Sequence, residues 1–149
     1  MGTKSFREIL ETTGHLAYTC RGVSMLPLLR QKHDVVVIEK KIARCKRLDT
    51  VLFVRLNGEY ILHRVLKVRS DGYWIVGDNC ISGEDVSEEQ VIGVMTAVKR
   101  NGRLIRADSL GCKIYAHIWC DAYPLRFLAL RAWRFLKRKL RALRKRIKR

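Results

Sequence analysis

The sequence predicts a mainly β, antiparallel protein. Three observations carry this: a series of short apolar runs of strand length, turn dipeptides between several of them, and helical periodicity confined to the two ends. The runs are Leu16–Cys20, Asp34–Glu39, Thr50–Leu56, Tyr60–Val68, Tyr73–Val76 and Val91–Lys99. Asn57-Gly58 and Asp71-Gly72 fall between neighbouring runs, and Asn101-Gly102 precedes a further run, Leu104–Ala107. Such pairs tolerate positive φ and favour two-residue hairpin turns. At the start, Phe6, Ile9 and Leu10 share one helical face and Gly14 is placed to stop a short helix. Beyond Pro124, apolar residues recur at Leu125, Leu128, Ala132, Leu136, Leu140, Leu143 and Ile147, the spacing of a long amphipathic helix whose polar side is Arg and Lys. The expected organisation is an N-terminal helix over 1–14, a β-rich domain over 15–108 and a basic helical tail over 109–149. A chain of 149 residues buries one core, not two.

The charge is uneven. Of the formal +17, the segment from Leu125 to Arg149 supplies twelve Lys and Arg and no acid, which leaves residues 1–124 at +5. That tail reads first as a contact with an anionic membrane surface, through Trp133, Arg134, Lys137, Arg138 and Arg141. The competing reading packs its apolar stripe on the β-body or on a second copy. Nucleic acid ranks third, because the aromatic residues lie mostly on the apolar stripe and do not interleave with the cations. No stretch reaches the roughly 18 to 20 uninterrupted apolar residues of a membrane-spanning helix. The first eight residues include Glu8 and no apolar core, so they do not read as a secretory signal. The expected location is cytoplasmic, peripheral to a membrane. Five widely spaced cysteines without a Cys-x-x-Cys pair suggest neither a disulfide framework nor a zinc site, and a reducing compartment fits them.

Three segments carry chemistry. Ser24 stands in Gly22-Val23-Ser24-Met25-Leu26-Pro27, just after a strand run, where Gly22 permits a turn and Pro27 fixes the backbone that follows. A serine hydroxyl is a poor nucleophile until a base takes its proton and donors receive the oxyanion. His63, in Leu62-His63-Arg64-Val65, shares a strand face with Ile61 and Val65, and its near-neutral pKa suits it to take such a proton. Gly77-Asp78-Asn79, followed by Ser82-Gly83-Glu84-Asp85, reads locally as a tight turn after a strand. His15, His33 and His117 lack ligand-like spacing, and no phosphate loop or dinucleotide glycine pattern is present, so neither a metal nor an organic cofactor is expected.

In this order and spacing, the three segments resemble the boxes of the serine peptidase clan that holds type I signal peptidases and the self-cleaving domains of LexA-type repressors. The resemblance covers about Leu16 to Val98, and His33-Asp34-Val35-Val36-Val37 and Leu48-Asp49-Thr50-Val51 are similar to the clan's Gly-Asp-x-Val strands with the glycine replaced. It implies that clan's β-rich peptidase fold and a serine endopeptidase acting on a leader, signal-like or exposed-loop peptide. Ser24 would be the nucleophile and His63 the base, as in the archaeal and endoplasmic-reticulum-type members, where bacterial members use lysine. Asp78 or Asp85 would orient His63 or organise the site. Leu28 follows the proline where signal peptidases commonly have threonine, and Gly22 replaces an oxyanion-donating serine of many bacterial members, so the oxyanion hole is expected to be backbone amides, that of Ser24 among them. The two other readings are a non-catalytic binding module on the same fold, held to membrane or partner by the tail, and a repressor-derived DNA-associated protein. The second lacks room before Ser24 for a helix-turn-helix.

Overall fold

A computed structural model of the chain describes residues 5–147; within its last helix, the side chains of Arg126, Phe127, Arg134, Leu140 and residues 141–147 lie outside the description. Helix α1 spans Phe6–Thr13. Ser5 begins it with a capping box: its hydroxyl accepts the Glu8 N–H, and the Glu8 carboxylate accepts the Ser5 N–H at 2.7 Å. Gly14 ends it at φ 76°, donating its N–H to the Leu10 carbonyl. The apolar face delivers Leu10 to the core and Phe6 to Tyr18 and Tyr60, with ring centroids 5.0 and 5.1 Å away.

Eight strands follow: β1 (His15–Thr19), β2 (Val35–Lys40), β3 (Thr50–Val54), β4 (Tyr60–Val68), β5 (Gly72–Val76), β6 (Gly83–Ser87), β7 (Val91–Arg100) and β8 (Arg103–Arg106). They form one antiparallel sheet in the order β1-β2-β7-β3-β4-β5-β6, with β8 added beside β7. The ten-residue β7 lies between β2, paired along Gly93–Lys99, and β3, paired along Val91–Val94, while β8 pairs with its later residues Ala97–Arg100; a register shift interrupts the β2 and β3 ladders. Such irregularities sharpen the local twist. One apolar cluster, including Leu10, Leu16, Val36, Ile38 and Met95, lies under α1. A second, including Phe53, Val65, Tyr73 and Ile75, fills the β3–β6 end.

The expected antiparallel body and short N-terminal helix are therefore present, with strand ends shifted by one or two residues. β6 was not foreseen. Its sequence Gly-Glu-Asp-Val-Ser buries only Val86, so its stability comes from pairing with β5 and not from an apolar face. The turns differ too. Asn101 and Gly102 both take positive φ, 49° and 78°, as a two-residue turn requires. At Asn57-Gly58 only Gly58 does, at 84°, and its N–H bonds the Arg55 carbonyl at 2.9 Å, which makes a three-residue loop with a bulge. Gly72 is not a turn residue but the first of β5; a Cβ there would stand 2.2 Å from the Val86 carbonyl oxygen, so glycine is what lets β6 approach.

The helical region after residue 109 is two helices, α2 (Leu110–Asp121) and α3 (Tyr123–Ile147). Pro124 has no N–H to continue the ladder, which breaks at Ala122. α2 packs on the sheet: Ala116 and Cys120 are buried, Cys120 against Leu66 and Val76. The expected single helical tail thus begins with a helix docked on the body.

Candidate active site

Ser24, half-buried, lies in the turn-rich loop 20–34 between β1 and β2. The loop's neck is closed by the Cys20 N–H on the Asp34 carbonyl, at 3.1 Å, and the Lys32 N–H on the Cys20 carbonyl, at 3.0 Å. Its inner side is pinned by Met25 and Leu29, both buried. Asp34 is wholly buried, accepting the Arg30 N–H at 2.8 Å and the Arg100 guanidinium at 3.0 and 2.5 Å. Arg100 also donates to the Leu28 carbonyl at 2.6 Å, so one guanidinium ties two points of the loop after Ser24 to β7. Chiefly through the Arg100 hydrogen bonds, the Asp34 carboxyl is held below the usual carboxylate range.

His63 sits mid-strand in β4, opposite Val51, with 8% of its surface exposed and the Phe53 ring edge-on at 6.2 Å. Burial pushes its pKa below the ordinary imidazole value; Glu84 and Asp78 oppose that shift and Arg55 adds to it. A neutral imidazole at neutral pH is the form that can accept a proton.

The third segment joins the other two. Gly77 follows β5, and a Cβ built on it would stand 2.8 Å from the Ser24 carbonyl oxygen, 2.9 Å from His63 Nε2 and 2.7 Å from Cys80 Sγ. The Ser24 turn and the His63 ring flank a residue that has no room for a side chain. The same turn grips the first box directly: Asn79 donates its backbone N–H to the Ser24 carbonyl at 2.7 Å and its side-chain amide to the Val23 carbonyl at 3.1 Å.

The two acids singled out by sequence have separate surroundings. Asp78 is buried and takes both arms of Arg64, at 2.8 and 2.9 Å, and the Tyr115 hydroxyl at 3.0 Å. Trp119 Nε1 donates to the Asp78 carbonyl at 2.8 Å. Asp78 is thus an organiser of the turn, working through Arg64 and α2. Asp85 is exposed, pairs with Arg69, and points to the face of β6 opposite its neighbour Glu84. Glu84 is the carboxylate beside His63, with Oε1 3.8 Å from His63 Nδ1 and both oxygens held by Arg55 at 2.8 and 2.9 Å. That separation is long for a hydrogen bond and short for attraction to an imidazolium. Period-2 alternation in a strand over residues 83–87 would have pointed to Glu84; its polar sequence hid that strand.

A cavity of about 530 Å³ opens beside Ser24, walled by Phe6, Tyr18, Met25 and Tyr60, with Arg21 also on its lining. Among the described residues, no group of three His, Cys, Asp or Glu is placed to hold a metal ion. On α3, Trp133, Lys137 and Arg138 are exposed, and Lys137 Nζ stands 4.5 Å over the Trp133 ring. Arg134 and Arg141 lie on the same helix with side chains outside the described residues. Among the described residues, no helix is long and apolar enough to cross a membrane. No protein-family model matches the chain, and no curated protein matches it in sequence.

Proposed function

We propose that the chain is a serine endopeptidase of the signal peptidase and LexA-like kind, with Ser24 as nucleophile and His63 as general base. The observation that carries this reading is the meeting of the Ser24 turn and His63 Nε2 over Gly77. In the proposed reaction Ser24 Oγ attacks the scissile carbonyl carbon while His63 Nε2 takes the hydroxyl proton. The tetrahedral oxyanion is received by backbone amides that include that of Ser24. Collapse breaks the C–N bond, His63 returns the proton to the leaving amine, and water, deprotonated by His63, then hydrolyses the acyl-enzyme. Asp78 keeps the Gly77–Cys80 turn in place and Glu84 stabilises the imidazolium that forms between the two proton transfers. The substrate is a leader, signal-like or exposed-loop peptide, whose side chains are received by the cavity beside Ser24.

The proposal also places the enzyme at the cytoplasmic periphery of a membrane, because a helix as cationic as α3 suits that leaflet's negative surface potential. Incubation with a fluorophosphonate probe tests the chemistry. Wild-type protein is expected to be labelled on Ser24, and Ser24→Ala and His63→Ala to remove labelling while leaving the circular dichroism of the sheet unchanged. Labelling that persists in either folded variant overturns the mechanism, and an unlabelled wild type favours a binding module on this fold.

A further inference from the structure

Helix α2 buries Ala116 and Cys120 but leaves Leu110, Ile114 and Ile118 outward, a line at four-residue spacing. α3 leaves Leu125, Leu128, Trp133, Phe135 and Leu136 outward, each about half exposed or more. Ala122, between the helices, has φ −82° and ψ 9°, outside the helical range, and its N–H still bonds the Ile118 carbonyl at 3.2 Å, so a single turn joins α2 to α3. At about 3.6 residues per turn within each helix, Leu110, Ile114 and Ile118 share one side of α2, and Leu125, Leu128 and Leu136 share one side of α3, with Trp133 and Phe135 at its margins. Cations lie against those aromatic rings: Lys137 Nζ is 4.5 Å over Trp133 on the polar flank, and Lys139, which the same spacing sets within the apolar side, has its Nζ 4.8 Å over Phe135.

We infer that this side of α2 and α3 is one docking surface for an anionic lipid bilayer, laid flat in the headgroup region with the apolar line toward the acyl chains. The inference deepens the membrane-periphery reading and rests on it, but not on the chemistry of Ser24. A surface must be found that covers the apolar line and neutralises the cations together. A second copy of this chain covers the line but aligns two segments that each carry twelve Lys and Arg and no acid. Nucleic acid neutralises the cations and leaves the leucines in water, and an acidic protein covers both only with an apolar groove long enough to take two helices. A bilayer containing anionic phospholipid does both, with aromatic rings at the level between. α2 adds a constraint that α3 alone lacks: it is the helix whose Tyr115 and Trp119 bond Asp78, so docking along α2 holds the Ser24 side of the molecule close to the bilayer.

The test is flotation of full-length Ser24→Ala protein with vesicles of phosphatidylcholine alone or with added phosphatidylglycerol, over a range of salt. The protein is expected to float with the anionic vesicles, at least about tenfold more weakly with the neutral ones, and less as salt rises. Leu128→Glu with Leu136→Glu is expected to abolish flotation, and Ile114→Glu with Ile118→Glu to weaken it several-fold, both at unchanged circular dichroism of the sheet. Equal binding to both lipids overturns the anionic specificity and leaves the membrane-periphery reading standing. Binding to neither overturns both. A lipid-independent dimer that the α3 pair of substitutions disperses makes a second copy the occupant and overturns the inference. Unchanged flotation of the α2 variant removes α2 from the surface.

Discussion

Trp119 Nε1 donates to the Asp78 carbonyl at 2.8 Å from a helix that is more than forty residues away in sequence. Asp78 is followed by Asn79, whose N–H holds the Ser24 carbonyl, so the helix indole and Ser24 are two hydrogen bonds apart along one turn. Tyr115, stacked on Trp119 at 5.6 Å, adds a third bond to the Asp78 carboxylate. Trp119→Phe keeps most of the packing and removes the donor. It is expected to cost about 1–3 kcal/mol of stability and to lower kcat about tenfold with little change in KM. Chemical denaturation and steady-state cleavage of a peptide substrate read the two effects. A variant that loses stability but keeps full kcat would make this bond purely structural.

Gly77→Ala is a sharper probe of the same turn. The added methyl would meet the Ser24 carbonyl, His63 Nε2 and Cys80 Sγ, all within 2.9 Å, so the turn or the imidazole must move. Displacement of reacting groups by about 1 Å can lower rates about a hundredfold. The expected outcome is a fall in kcat/KM of at least about that size, larger than that caused by Gly102→Ala in the outlying β7–β8 turn, where a Cβ meets nothing within 4 Å. Equal effects of the two substitutions would remove Gly77 from the site.

Burial places the His63 pKa below the ordinary imidazole value of about 6.5, so the acid limb of kcat/KM is expected below that pH. Glu84 works against burial by attracting the imidazolium, and Arg55 repels it. Glu84→Gln removes the attraction and leaves the Arg55 charge uncompensated. The limb should therefore move to still lower pH while the plateau rate falls, because the imidazolium formed in the reaction loses its counter-charge. A pH–rate profile measured on both proteins decides it; a limb that stays put, or moves up, would show that Glu84 does not act on His63.

Much of the body was legible because its signals are local. β4 is read correctly from Tyr60 to Val68, where aromatic and β-branched residues dominate, and α1 is announced by the shared face of Phe6, Ile9 and Leu10 and by Gly14. Ser24 and His63 stand out through the motifs around them. Glu84 was hidden because β6 owes its existence to the neighbouring β5 and not to its own residues. The roles of Tyr115 and Trp119 were hidden for another reason: α2 has apolar residues around most of its circumference, so no stripe marks which face meets the Asp78 turn. Arg100 and Asp34, 66 residues apart, could be paired only by the β2–β7 ladder.

That last pair should be visible in acid. With its folded pKa lowered chiefly by Arg100, the Asp34 carboxyl binds a proton more readily when the chain is unfolded. The stabilisation it contributes is therefore complete above the unfolded value of about 3.9 and is lost as pH falls through the lower folded value. Asp34→Asn removes that titration and leaves Arg100 without its counter-charge. Breaking a buried pair typically costs about 3–5 kcal/mol; because Arg100 keeps 29% of its side chain exposed and can be rehydrated, the low end of that range is expected at neutral pH. As pH falls below about 4 the gap between wild type and variant should narrow, since the wild type alone is losing this contribution. Urea denaturation at several pH values measures it, and a gap that is constant across this range would show that Asp34 is not the group titrating. Because Arg100 also holds the Leu28 carbonyl, the same substitution should loosen the Ser24 turn, seen as faster amide exchange at Leu29 and Lys32, whose N–H groups close that loop.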